Sequence, residues 1–77
     1  MALKILVFGQ LTEITQTSEL EWETVEQVGA LRQQLLQRFP EMAHISVAIA
    51  VNQTLADDQT AIPANGEIAL LPPFSGG

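Results

Sequence analysis

The group in this chain whose type and setting best suit chemistry is not a side chain. The sequence ends "LLPPFSGG", so Gly77 carries the α-carboxylate and Gly76 precedes it. Glycine is costly to order and has nothing to pack, and a terminus is where order is lost first. The pair therefore adds little to a fold. Lacking Cβ atoms, the two glycines can instead enter a narrow channel and lie against another protein's backbone. The carboxylate is ionised at neutral pH. As such it is a poor acyl donor and needs activation, most simply as an acyl-adenylate. Pro72 and Pro73 stiffen the base of the arm and lower its ordering cost on docking. Phe74 follows them, and Ser75 can give or take one hydrogen bond. The expectation is an arm over residues 72–77 that delivers Gly77 into a partner's site. A terminal Gly-Gly alone fits a plain unordered tail equally well, so the elements ahead of it must decide.

Side-chain chemistry elsewhere is sparse. There is no cysteine, hence no disulfide, no thiolate metal site and no sulfur nucleophile. His44 is the single histidine and reads as a solvated loop residue without a second ligand for a metal. Asp57-Asp58 reads as a turn, since no EF-hand pattern surrounds it. Neither a G-x-S-x-G, nor a P-loop, nor a G-x-G-x-x-G occurs. Trp22, at a strand end, reads as edge packing. No metal site and no tightly bound cofactor are expected.

Composition narrows the partners. Seventy-seven residues make one small domain. Hydrophobic residues are 47% but charged residues only 16%, against roughly 25% in typical domains. An ordinary apolar load under a thin charge coat leaves apolar surface exposed, which often marks a partner site. Nine acids face three bases, Lys4, Arg32 and Arg38, for a net charge of −6. Nucleic acid is a poor partner for that field, because its binding uses Lys and Arg clusters; a basic protein surface fits better. No apolar run approaches the ~18 residues of a membrane span, and "ILVF" is too short for a secretory core. The expectation is a cytoplasmic protein with no membrane and no nucleic-acid partner.

The elements that must position the tail can be read in order. "LKILVFGQ" (3–10) is a strand with Leu3, Ile5 and Val7 on one face and Leu6 and Phe8 on the other. Residues 11–16 are turn-compatible. "TSELEW" (17–22) is a second strand, antiparallel to the first, with Leu20 and Trp22 sharing a face. "TVEQ" (24–27) has the form of a capping box, Thr24 with Gln27, before a helix in which Val28, Leu31, Leu35 and Phe39 recur at helical spacing. Gly29 inside that helix predicts a close approach to the sheet. Pro40 stops the helix near Phe39. "ISVAIAV" (45–51) is a third strand, a short one surrounds Leu55, and "EIALL" (67–71) is the last. Pro72 and Pro73 lack N–H groups and end the ladder. The six residues from Pro72 to Gly77 can reach roughly 20 Å at ~3.3 Å each.

A β-β-α-β-(β)-β order with one helix puts that helix across one sheet face. The expected fold is α+β, a β-grasp (ubiquitin-like) mixed sheet over residues 1–71, with the first and last strands parallel in its middle. If Leu3, Ile5, Val7, Ile68 and Leu70 face the helix, then Leu6, Phe8, Ala69 and Leu71 face away. That second face is apolar, and either a partner or the chain's own loops must cover it.

At these residues the chain resembles a known family. "LKILVFGQLTE", "TVEQVGALRQQLLQRFP", "AVNQTLA" (50–56) and "NGEIALLPPFSGG" look like the small subunit of molybdopterin synthase. Leu70 to Gly77 match that family's ending of two apolar residues, Pro-Pro, two variable residues and Gly-Gly. The resemblance implies a non-catalytic sulfur-donor subunit of a sulfurtransferase complex. An adenylyltransferase similar to ubiquitin-activating enzymes uses ATP and Mg²⁺ to adenylate the terminal glycine, which then becomes a thiocarboxylate. The tail enters the synthase large subunit and gives its sulfur to cyclic pyranopterin monophosphate, in a heterotetramer. Phe8, Leu55 and Leu71 match the positions that dock on the large subunit, and Gly76 and Gly77 match the activated terminus.

The chain departs from that pattern at Thr12, where the family often has Arg, at Gly9, where it often has Ala, and near Thr15, where it often has Gly. These concern the first loop. The thiamine-pathway sulfur carrier shares the fold and the Gly-Gly end but usually lacks the Pro-Pro pair. A ubiquitin-like modifier joined to lysines through Gly77, and a passive interaction module, are the other readings.

Overall fold

The computed structural model describes residues 2–72. Eight elements follow in order: β1 (Ala2–Val7), α1 (Leu11–Thr15), β2 (Glu19–Glu23), α2 (Val28–Arg38), a 3-10 turn (Pro40–His44), β3 (Ala48–Val51), β4 (Thr54–Ala56) and β5 (Glu67–Leu71). The strands form one mixed sheet in the order β2-β1-β5-β3-β4. β1 pairs parallel with β5, Ile5 opposite Ile68 and Val7 opposite Leu70, and the remaining ladders are antiparallel. A parallel pair cannot close by a hairpin, so the chain between must cross over. It does so through α2, which gives the β-grasp arrangement.

Alternation along the two central strands builds the core. Leu3, Ile5, Val7, Ile68 and Leu70 are all buried and cluster with Val28, Leu31 and Leu35 of α2 and with Ile49 and Val51 of β3. Leu20 and Trp22 lie opposite Ile5 and Leu3 and pack at the margin of this core. The Trp22 indole N–H donates to Gln34 Oε1 at 2.8 Å and ties the edge strand to the helix. A two-residue turn joins β3 to β4, with Asn52 and Gln53 at φ 50° and 70°, the signs a tight hairpin needs. Asn52 also exchanges two hydrogen bonds with the Glu67 backbone: its N–H donates to the carbonyl at 2.8 Å and its Oδ1 accepts from the amide at 3.0 Å.

Four expectations change. Residues 11–15 are a short helix rather than a turn. Its driving residue is Leu11, fully buried in the core, with Ile14 one turn on and packed against the same core. Three of its five residues are β-branched, and such residues carry weak helix propensity. The third strand begins at Ala48, because Pro40–His44 form the 3-10 turn, which buries Met42.

The helix start is the third correction. Thr24 lies outside α2, whose N-cap is Gln27, with no side-chain cap. Distant backbone takes that role. The Val28 and Gly29 amides donate to the Thr60 and Asp58 carbonyls at 3.0 and 2.8 Å, and the Ile62 amide donates to Glu26 O at 2.8 Å. The fourth follows from it. Gly29 makes room for this loop and not for the sheet: a Cβ there would lie 3.0 Å from Asp58 O. Arg32 holds the loop from the other side, with Nε 2.9 Å from Asp58 Oδ1 and Nη1 donating to Val47 O at 2.8 Å.

Thr24→Ala should therefore change unfolding free energy by less than about 0.5 kcal/mol, where loss of a true N-cap costs about 1 kcal/mol. Chemical denaturation of the two proteins checks this, and a full cap-sized loss would restore the capping box.

Candidate functional site

The face of the sheet opposite α2 carries the site. Period-two alternation sends Leu6, Ala69, Ala50 and Leu55 to this side. The register sets them in one row across four strands: Leu6 opposite Ala69, Ala69 opposite Ala50, Ala50 opposite Leu55. The row spans about 14 Å at the usual strand spacing. Leu71, opposite Ala48, begins the next row, and Phe8 extends β1 beside it, its backbone N–H donating to Leu70 O at 3.1 Å. α1, α2 and the 3-10 turn all send their buried residues to the other side, into the core. Among the described residues, then, no helix covers this face.

Exposure follows position. Among the described residues, Phe8 at 45% exposed and Leu55 at 70% are the large apolar side chains that stand out of the surface. Leu6, Ala69, Leu71 and Pro72 are half-buried. Alternation in the sequence puts Phe8 and Leu71 on this face and the family resemblance adds Leu55; the structure brings all three onto one face. Pro72 follows directly after β5 at its edge. Pro73, Phe74, Ser75, Gly76 and Gly77 lie outside the described residues. Half-buried Ala48 and buried Ala50 also lie on this side of the sheet and were not singled out in the sequence. The alternation of Ala with Ile and Val in "AIAV" was the available signal, small outward and large inward.

Charge borders the patch on one side. Glu19, Glu21 and Glu23 alternate along β2 and are all exposed. Lys4 is the cation within reach, 3.0 Å from Glu19 Oε2. Its ammonium is held above the ordinary lysine value by the hydrogen bond and charge of Glu19, with Glu67 adding a smaller push. Both partners are largely exposed, so the pair contributes little to stability. The apolar centre with an acidic margin suits a protein partner bearing an apolar hollow and basic neighbours.

Other candidates carry no chemistry. A cleft on the helix side is lined by Arg32, Leu36, Met42, Ile45, Ser46 and Val47, but its one cation is already engaged by Asp58 and the Val47 carbonyl. Asp57 makes a turn, its Oδ1 accepting from the Gln59 amide at 2.9 Å and the Thr60 hydroxyl at 3.0 Å. His44 is exposed in the 3-10 turn. Among the described residues no three His, Cys, Asp or Glu could hold a metal ion together, and no helix is long and apolar enough to cross a membrane.

The first loop accounts for one departure. Gly9 has φ +60°, a left-handed conformation that glycine adopts freely and alanine does not. Its α-carbon lies against Pro72, so the loop and the end of β5 meet there.

Solved structures share this fold over nearly the whole chain. The small archaeal modifier protein 1 of Methanosarcina acetivorans superposes with a TM-score of 0.82 at 25% identity, covering 99% of this chain and 96% of that one. A Pyrococcus furiosus protein provisionally described as molybdopterin converting factor subunit 1 gives 0.84 at 19% identity, over 95% and 98%. A chain from the complex of subunits 1 and 2 of the molybdopterin-converting factor of Helicobacter pylori gives 0.69 at 26% identity, over 100% of both. The ThiS family model matches residues 5–77, from the middle of β1 through Gly77, and the chain belongs to the ThiS family.

Proposed function

We propose that this protein is a sulfur carrier of molybdenum cofactor biosynthesis that works through the carboxylate of Gly77. The observation that carries the reading is the pairing of two features. The ThiS family match runs through Gly76-Gly77, and an apolar sheet face that no helix of the described residues covers includes β5, the strand that precedes them. The carboxylate attacks the α-phosphorus of ATP in a ubiquitin-activating-like adenylyltransferase, which also holds the Mg²⁺, and pyrophosphate leaves. Sulfur from a donor displaces AMP and leaves a thiocarboxylate. Its sulfur is ionised and soft, and attacks carbon without a base from this chain. A chain with no cysteine and one exposed histidine suits that chemistry.

The acceptor in this reading is cyclic pyranopterin monophosphate in the large subunit of molybdopterin synthase, within a cytoplasmic heterotetramer. Likeness at 26% identity to a chain of the two-subunit complex supports a large-subunit partner. Phe8, Leu55 and Leu71 then form the docking face, with Pro72, Pro73, Phe74, Ser75 and Gly76 as the inserted stalk. A second reading has its own support: the likeness to a small archaeal modifier protein at 25% identity favours conjugation of Gly77 to substrate lysines. The thiamine-pathway carrier would share every step up to the thiocarboxylate.

Intact mass after incubation with ATP, Mg²⁺, the activating enzyme and sulfide tests the reading. The expected change is the replacement of one oxygen by sulfur; an unchanged mass defeats it. Sulfur delivery to the pterin substrate separates the molybdenum from the thiamine pathway, and isopeptide-linked adducts in cell extracts would favour the modifier. Deleting Gly77 should abolish sulfur transfer while leaving the melting temperature unchanged. Phe8→Ala should weaken large-subunit binding by about 1–3 kcal/mol, the loss typical of an apolar anchor, as read by calorimetric titration.

A further inference from the structure

β2 is an edge of the sheet. It pairs with β1 on one side, and among the described residues no strand lies on the other. The Val7 amide donates to Ser18 O at 2.9 Å, which fixes the phase of this antiparallel ladder. Leu20 and Trp22 therefore turn their backbone groups toward β1, and Glu19, Glu21 and Glu23 turn theirs outward. Thr17 closes the first of these: its Oγ1 accepts from the Glu19 amide at 3.3 Å and donates to the Glu19 carbonyl at 3.1 Å. No group among the described residues closes Glu21 or Glu23 in the same way.

The side chains decide what an added strand must carry. Glu19, Glu21 and Glu23 are exposed and stand on the same side of the sheet as Leu6, Lys4 and Ala2, their partners in β1. Lys4 engages Glu19 at 3.0 Å, which leaves Glu21 and Glu23 without a cation among the described residues. Leu20 and Trp22 point the other way and are half-buried, with the Trp22 ring held by its bond to Gln34 Oε1. A second copy of this edge is a poor occupant. Two β2 strands paired antiparallel about Glu21 would set Glu21 against Glu21 and Glu19 against Glu23, and like charges directly opposite are destabilising. A strand with Lys or Arg at every second position instead sets cations against the acids. Its intervening apolar residues extend the ledge made by Leu20 and Trp22.

We propose that the open edge of β2 is a strand-addition site for an extended protein segment in which Lys or Arg alternates with apolar residues. Main-chain bonds to Glu21 and Glu23 supply affinity, and the alternating side chains supply the selection. The inference does not depend on the sulfur-carrier reading.

The probe is a capped peptide of alternating Lys and Val, titrated into the full chain and followed by amide NMR. The control has the same composition with its lysines in one block. The alternating peptide should bind about tenfold tighter than the control, as several cross-strand pairs acting together allow, and should slow hydrogen exchange at the Glu21 and Glu23 amides. Glu21→Gln keeps the outward N–H and should weaken binding about threefold, the scale of an exposed ion pair. Glu21→Pro also removes that N–H, without touching a bond to β1, and proline is tolerated at such an edge position; binding should fall about tenfold. Should Glu21→Pro fail to fold, exchange protection in the wild-type chain decides. Equal affinity for the two peptides, unprotected Glu21 and Glu23 amides, or a folded Glu21→Pro that binds as Glu21→Gln does each overturns the site. Gly77 takes no part in the readout, so the carrier reading stands or falls separately.

Discussion

The parallel ladder between β1 and β5 is the constraint on which the rest of the molecule depends. It joins strands from opposite ends of the chain, Lys4 to Val7 beside Glu67 to Leu70. Because parallel strands need a crossover, the chain between them must cross the sheet, and it does so between β2 and β3 through α2. With side chains alternating, the same two strands give each face its character. Leu3, Ile5, Val7, Ile68 and Leu70 go under the helix, while Leu6, Phe8, Ala69 and Leu71 are left on the far side. A slip of one residue in that register would exchange the two sets, so the core and the candidate docking face are products of one pairing.

Around this ladder the polar ties are long in sequence. Trp22 reaches Gln34, Arg32 reaches Val47 and Asp58, and Asn52 reaches Glu67. The start of α2 is satisfied by the loop at residues 58–62 and not by its own neighbours. Among the described residues no buried side-chain polar atom lacks a partner. A domain this small has little core to spend, and such cross-links hold the loops to the sheet where apolar packing is thin. The result is a firm platform under an exposed apolar patch. The acids along β2 and the net charge of −6 oppose self-association through that patch.

On the proposed reading, the division of labour is unusual only in where the reactive group sits. Side chains of this body supply recognition, and the main chain supplies the electrophile and later the sulfur. Acid, base, nucleotide and metal all belong to partners. A carrier of this kind must present the same terminus to an activating enzyme and then to an acceptor. A face that is apolar at its centre and polar at its margin can bind each in turn without being committed to either.

Periodicity alone determined much of this protein. The alternation in "LKILV" and "EIALL", the helical recurrence of Val28, Leu31 and Leu35, and the two prolines after Leu71 sufficed for the β-grasp fold, its helix-facing core and its apolar reverse face. The Gly-Gly ending carries only the proposed chemistry, while the signals for the fold are local, and local sterics act on the residues that carry them. What only the tertiary structure decided are the places where distant backbone outcompetes a neighbour. The 58–62 loop displaced Thr24 as the cap of α2. Asp58, not the sheet, explains Gly29. Burial of Leu11 drew a weak helix-forming stretch into α1. Pro72 came to rest on Gly9, 63 positions earlier in the sequence. Each depends on groups brought together by the central ladder, and no spacing along the chain encodes a contact whose two halves meet only after the strands have paired.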